Sequence, residues 1–83
     1  MRKNFGKYIV ADPKICHGQL TFRGTRIFVR DVIAQVARGM AWDEIRHEWY
    51  DRISIAAIAE AVRLAGKVLS DQIDKPALKL NGQ

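Results

Sequence analysis

Arginine is the residue type in this chain that is best suited to chemistry, because its charged guanidinium group offers a fork of donors that fits phosphate or carboxylate oxygens. A single arginine is ordinarily a solvated charge, and Arg26 could instead bridge two elements of the fold. Taken as a set, the arginines predict a surface that binds an anionic partner, with nucleic acid ahead of an acidic protein. The candidates are Arg23, Arg26, Arg30, Arg38, Arg46, Arg52 and Arg63.

A catalytic site would need a cluster of reactive side chains, and the most reactive pair in the sequence is Cys16-His17. No third residue is placed to activate the thiol, so we interpret Cys16 as a packed residue and His17 as a surface residue. Asp12, Cys16, His17 and His47 also lack the spacing of a metal site. We therefore predict that the chain is not an enzyme and needs no cofactor and no metal.

Length and composition narrow the class of protein. The chain has 83 residues and a formal net charge of +5. A single domain of this size has a marginal core, so a homodimer is expected. Cys16 has no cysteine partner for an internal disulfide, and residues 1–8 include no apolar run that suits a signal peptide or membrane anchor. These features predict a cytoplasmic protein without a membrane segment.

Three consecutive amphipathic patterns between residues 29 and 66 must position the arginines. Gly39 is expected to end the first helix, whose polar side includes Gln35, and Ser54 is a candidate N-cap of the third. Short helices joined by tight turns predict a helix-turn-helix unit. The apolar faces are formed by Val29, Val32, Ile33, Val36 and Ala37; by Trp42, Ile45 and Trp49; and by Ile55, Ile58, Val62, Ala65 and Leu69.

The segment before the helices is β-prone. Residues 8–10 predict a first strand, and residues 20–22 and 25–28 flank Arg23-Gly24, which suits a tight hairpin turn. Gly18 and Gly24 are expected to supply positive φ angles. The predicted fold is therefore α+β and mainly α, with a short N-terminal β-hairpin region followed by a three-helix helix-turn-helix unit. Residues 1–69 would form this domain and residues 70–83 a C-terminal tail.

The start of the third helix is a poor set for reading DNA bases. It offers Ser54, Ala56, Ala57 and Glu60, where alanines could meet a thymine methyl group and Glu60 a cytosine amino group. No Arg, Asn or Gln is available there for a bidentate contact, so we expect sequence recognition to be weak. Most of the helix circumference is apolar, which predicts burial on two sides, by the domain core and by a second subunit.

A set of residues between positions 9 and 65 resembles the small bacterial domain-of-unknown-function family 433. The resemblance implies a β segment followed by a helix-turn-helix of the VapB antitoxin type, often paired with a PIN-like ribonuclease toxin. The residues that carry it are Asp12-Pro13, Gly18, Gly24-Thr25-Arg26-Ile27, Val29, Gly39, Glu44-Ile45, Tyr50, Ile55 and Ala61.

These observations lead to a functional hypothesis. The chain would be the antitoxin of a type II toxin-antitoxin pair, binding its own promoter DNA as a homodimeric repressor through the arginines and Ser54. Its tail would hold the PIN-like toxin through Ile73, Leu78 and Leu80, because the tail is too apolar for a solvated disordered segment. In the alternative interpretation, the tail packs on its own domain or on the second subunit. The alternative is a dimeric protein-interaction module that does not bind DNA.

Overall fold

A three-stranded antiparallel sheet followed by three helices makes up the computed structural model, which describes residues 1–74. The strands lie in the order β1 (Lys3–Asn4), β2 (Ile9–Ala11) and β3 (Leu20–Phe22), and a short 3-10 turn at Cys16–Gly18 precedes β3. The helices are α1 (Val29–Ala37), α2 (Trp42–Glu48) and α3 (Ile55–Asp74). The predicted α+β class, mainly α with the β region first, is confirmed.

One predicted strand is wrong. Residues 25–28 form no strand, and Phe28 makes only an isolated bridge with Thr21. The reason is local: the Thr25 hydroxyl donates to the Phe22 carbonyl at 2.8 Å and accepts from the Ile27 N–H at 3.0 Å, which closes a turn where a ladder would begin. The third strand is instead β1, a two-residue polar segment that has no β-prone pattern.

The core lies between the sheet and the three helices. The core brings together side chains from residues that are distant in sequence. Trp42 and Trp49 pack against this cluster, in line with their interpretation as core residues. The burial of these apolar side chains is the main contribution to the folding stability of so small a domain. The buried cluster consists of Ile9, Phe22, Ile27, Val29, Val32, Ile45, Ile53, Ala57, Ile58 and Ala61.

Gln35 corrects the predicted polar side of α1. Its side chain is buried, with 7% of its surface exposed, and its Oε1 accepts a hydrogen bond from Trp49 Nε1 at 2.7 Å. The amide and the indole satisfy each other, so a polar residue can occupy this inward position without an unpaired buried group. The bond fixes the last turn of α1 against the residue that follows α2.

The first two helices end on residues in the left-handed region. Gly39 (φ +85°) follows α1, as predicted, and its N–H donates to the Val36 carbonyl at 3.0 Å. Tyr50 (φ +55°) takes the same position after α2, where its N–H donates to the His47 carbonyl at 3.0 Å, and Asp51 (φ +60°) follows it. This pattern is a C-terminal cap that usually has glycine at its left-handed residue. It turns the chain sharply from α2 into α3.

The start of α3 follows the predicted cap, and its end lies beyond the predicted domain boundary. The Ser54 Oγ accepts a hydrogen bond from the Ala57 N–H at 3.1 Å, which confirms the N-cap. The helix continues through Gly66 to Asp74, so the position between residues 69 and 70 falls inside it. The tail segment 75–83 lies outside the described residues.

Candidate nucleic-acid interface

Arg26 and Arg52 share a shallow concavity of about 410 Å³. Arg26 reaches it from the turn after β3, and Arg52 from the turn before α3; Ile15, Gly24 and Thr25 complete its lining. Both arginines are exposed, and neither forms an ion pair within the part of the chain that the structure describes. No acidic residue among residues 1–74 lines it. The Arg26–Arg52 concavity can therefore accept phosphate oxygens without first breaking a salt bridge.

Arg23 and Arg30 are engaged with their own chain. The Arg23 guanidinium donates to the Lys7 carbonyl at 3.0 Å and to the Gly6 carbonyl at 3.3 Å, which holds the loop between β1 and β2. Arg30 donates to the Gln19 side chain and stacks 4.3 Å from the Phe28 ring centroid. These contacts leave each group exposed but give it a structural role.

Arg46 is the most strongly neutralised of the predicted residues. Its guanidinium binds the carboxylates of Asp43 at 3.1 Å and Asp51 at 2.9 Å, and only 34% of the side chain is exposed. Because Asp51 lies in the left-handed turn after α2, the pair of bonds holds that turn against the helix. Arg46 is therefore poorly suited to bind phosphate.

The remaining basic candidates are exposed. Arg38 follows α1 and makes a weak contact with the Met40 sulfur at 3.9 Å, while Arg63 lies on the solvent side of α3. The eight predicted DNA-binding residues thus divide into free and engaged side chains rather than forming one uniform surface. Arg26 and Arg52 are the pair that the fold brings to one place.

The first turns of α3 offer less for base recognition than the sequence suggested. The Ser54 hydroxyl caps the helix, and Ala57 is buried with 2% of its surface exposed. The Glu60 carboxylate accepts the backbone N–H groups of Lys7 at 2.9 Å and Tyr8 at 2.7 Å. A cytosine contact by Glu60 and a thymine contact by Ala57 are therefore excluded in this conformation.

An apolar groove of about 720 Å³ runs along the outer half of α3. One wall comes from the β3 and α1 side and the other from α3, whose Val68 and Leu69 are 50% and 64% exposed. The sequence predicts two buried sides of this helix but not the groove, because the far wall comes from residues at least 28 positions away in the chain. We call it the α3 groove; its apolar lining includes Leu20, Val29, Ile33, Leu64, Val68 and Leu69.

The other predicted site residues lie apart from these surfaces. Cys16 is half-buried and His17 exposed in the 3-10 turn, where both have positive φ angles. Ile73 is 44% exposed on the last turn of α3. The other two predicted toxin contacts, Leu78 and Leu80, lie outside the described residues. Within residues 1–74, no three His, Cys, Asp or Glu side chains come together in a possible metal site.

None of the helices described up to Asp74 has both the length and the apolar character needed to cross a bilayer.

The fold and its surfaces define a class: a small α+β domain in which an antiparallel sheet supports a helix-turn-helix. The sequence also assigns the protein to a family, since the family model described as "Protein of unknown function (DUF433)" matches residues 9–65, more than half of the chain. The protein belongs to the DUF433 family, which confirms the predicted resemblance. No curated protein and no solved structure matches it significantly. The family description assigns no activity, so function must be argued from the surfaces.

Proposed function

We propose that this protein is the antitoxin of a type II toxin-antitoxin pair. As a homodimer it binds its own promoter DNA and represses transcription, and it neutralises a PIN-like ribonuclease toxin. The observation that carries the DNA-binding half is the Arg26–Arg52 concavity, which is shared by two guanidinium groups without an ion pair in the described residues. Arg26 comes from the turn after β3, and Arg52 from the turn that precedes α3. In a helix-turn-helix, basic residues beside the second helix grip phosphates and set the docking of that helix in the major groove.

The net charge of +5 supports the same assignment, because it attracts a polyanion over the whole surface. Phosphate contacts supply most of the affinity in this arrangement, since the exposed start of α3 presents Ile55 and Ala56 rather than a bidentate reader of bases. We therefore expect only modest discrimination between the promoter and an unrelated duplex.

A band-shift titration with the upstream DNA over a series of salt concentrations tests the proposal. Each phosphate contact contributes roughly 0.9 to the slope of log affinity against log salt concentration. Arg26→Ala and Arg52→Ala should each weaken binding and flatten the slope by about this amount. Lys67→Ala is the matched control: it removes the same charge from the outer half of α3, where Lys67 pairs with Asp71, and should leave the slope unchanged.

No shift of the upstream DNA at low salt would remove the DNA-binding half of the proposal. Equal slopes for the wild type, Arg26→Ala and Arg52→Ala would instead move the contact surface away from the concavity. The toxin-binding half is tested separately by co-expression with the neighbouring reading frame, because an antitoxin should purify with its toxin in a fixed ratio.

A second function is favoured by a specific observation, the exposed apolar lining of the α3 groove. It is a dimeric protein-interaction module that does not bind DNA, in which Arg30 and Arg46 serve the fold through their local contacts. Stoichiometric capture of a partner protein without any DNA shift would favour this module over the repressor.

A further inference from the structure

We propose that the α3 groove is occupied by the outer half of α3 from a second copy of this chain, packed antiparallel about a two-fold axis. The inference deepens the proposed function, since it names the interface of the homodimer. It uses no DNA contact and can be tested without DNA.

One side of α3 has the residue spacing of a helix-packing seam. Ile58, Ala61, Ala65, Val68 and Gln72 follow one another at intervals of three and four residues, the spacing of a helix seam that packs against another helix. The inner part of this seam is buried in the domain, where Ile58 and Ala61 are fully covered. Its outer part continues in the same register but faces the groove. The register therefore predicts a second helix as the occupant.

α3 is much longer than α1, the helix that packs against it. α3 has 20 residues and is about 30 Å long, whereas α1 has 9 residues and spans about 13 Å. Within the described residues, α1 can therefore cover only part of the seam, and Val68 and Leu69 project beyond it with 50% and 64% of their surfaces exposed. An unsupported helical end with exposed apolar residues gains stability when it packs on another surface.

The outer half of α3 carries side chains of complementary size. Ala65 is exposed in the groove lining, beside the larger Val68 and Leu69. In an antiparallel pair, Val68 of one copy lies over Ala65 of the other. A parallel pair would set Ala65 against Ala65 and leave a void that forfeits dispersion contacts.

Sedimentation equilibrium of the full chain tests the interface. The wild type should be a dimer, and Val68→Glu should weaken dimerisation by roughly 30-fold or more, the effect of losing a central interface contact. Ser70→Glu is the matched control, because it adds the same charge two residues away, about 200° around the helix, and should leave the dimer intact. Val68 is half exposed in the single chain, so circular dichroism should show an unchanged fold for both variants.

A cross-link between the two copies provides a second test, which does not depend on weakening the dimer. In a Cys16→Ser background, Ala65→Cys should form an intersubunit disulfide on mild oxidation, because Ala65 lies on the seam near the two-fold axis. Ser70→Cys points away from the seam and should stay monomeric on a non-reducing gel.

A wild-type chain that sediments as a monomer at about 100 μM would overturn the inference, and so would a Val68→Glu variant that dimerises like the wild type. Failure of the proposed function is distinguishable from both outcomes. A dimer that dissociates on Val68→Glu, yet does not shift the upstream DNA, would leave this interface in place and remove only the repressor role.

Discussion

Glu60 is the residue that ties α3 to the loop between β1 and β2. Its two carboxylate oxygens accept the N–H groups of Lys7 and Tyr8 at 2.9 and 2.7 Å. Gly6 in the same loop has φ +125° and approaches this carboxylate so closely that a Cβ atom there would come within 2.7 Å of it. The loop therefore depends on a glycine and on a charged acceptor from a helix more than fifty residues away.

Glu60→Gln should lower the free energy of unfolding by about 1 to 3 kcal/mol, because the amide nitrogen replaces one acceptor and leaves a backbone N–H without its partner. Urea denaturation followed by circular dichroism measures this difference. Glu48→Gln, which makes the same change at an exposed position on α2, should shift stability by no more than about 0.5 kcal/mol. Equal transition midpoints for the two variants would contradict the structural role assigned to Glu60.

Residues whose partners are close in sequence could be predicted, and residues with distant partners could not. Ser54 was found because its cap partner Ala57 lies three positions ahead, and Ile45 was found from helical spacing. Gln35 and Glu60 were assigned to solvent or DNA, yet their partners lie 14 and more than 50 positions away. A local sequence pattern shows the hydrophobic spacing of a helix or strand, but it does not show which distant residue will contact a given side chain in the fold.

At the scale of elements, α1 and α2 end in the same kind of left-handed turn, but the residue at the left-handed position differs. Gly39 and Tyr50 both adopt positive φ, but only glycine does so without a steric penalty. Tyr50 is 86% exposed, so its side chain contributes little packing to offset this strain. A Cβ atom at Gly39 would meet nothing within 4 Å, so substitution there acts through the backbone alone.

Tyr50→Gly is therefore expected to raise the free energy of unfolding by about 0.5 to 1 kcal/mol, and Gly39→Ala to lower it by about 1 kcal/mol. Thermal denaturation of both variants beside the wild type measures the two effects, which should have opposite signs. A Tyr50→Gly variant that is less stable than the wild type would mean that the exposed tyrosine makes a stabilising contact in the folded protein.

The helices were more predictable than the sheet, for a physical reason. α3 carries an apolar stripe and a cap within its own sequence, whereas β1 contains only Lys3 and Asn4 and exists because β2 offers it a pairing edge. Conversely, the β-prone residues 25–28 do not extend the sheet, since the Thr25 hydroxyl closes a turn with Phe22 and Ile27. Strand formation depends on partners, so propensity alone predicts it poorly.

At the scale of the whole molecule, charge and apolar surface are separated along α3. The Arg26–Arg52 concavity lies at its beginning, and the α3 groove lies along its outer half. In the proposed homodimer, the groove joins the two copies and each copy presents one concavity. A two-fold dimer of this kind matches a DNA site with two half-sites. Under the proposed function, substitutions in the concavity should therefore weaken DNA binding without loss of the dimer.

The proposed contact with the toxin can be tested separately by substitutions in the C-terminal tail. Leu78→Glu with Leu80→Glu should abolish co-purification with the toxin, because charges at predicted apolar anchors cannot be buried in a partner's groove. The same variant should still shift the upstream DNA with wild-type affinity at equal salt concentration, since the proposed phosphate contacts are made by Arg26 and Arg52. Asn81→Glu is the control for added negative charge in this segment, and it should retain the toxin. A double variant that still captures the toxin would move the contact elsewhere, and Ile73, which is 44% exposed at the end of α3, would be the next residue to substitute.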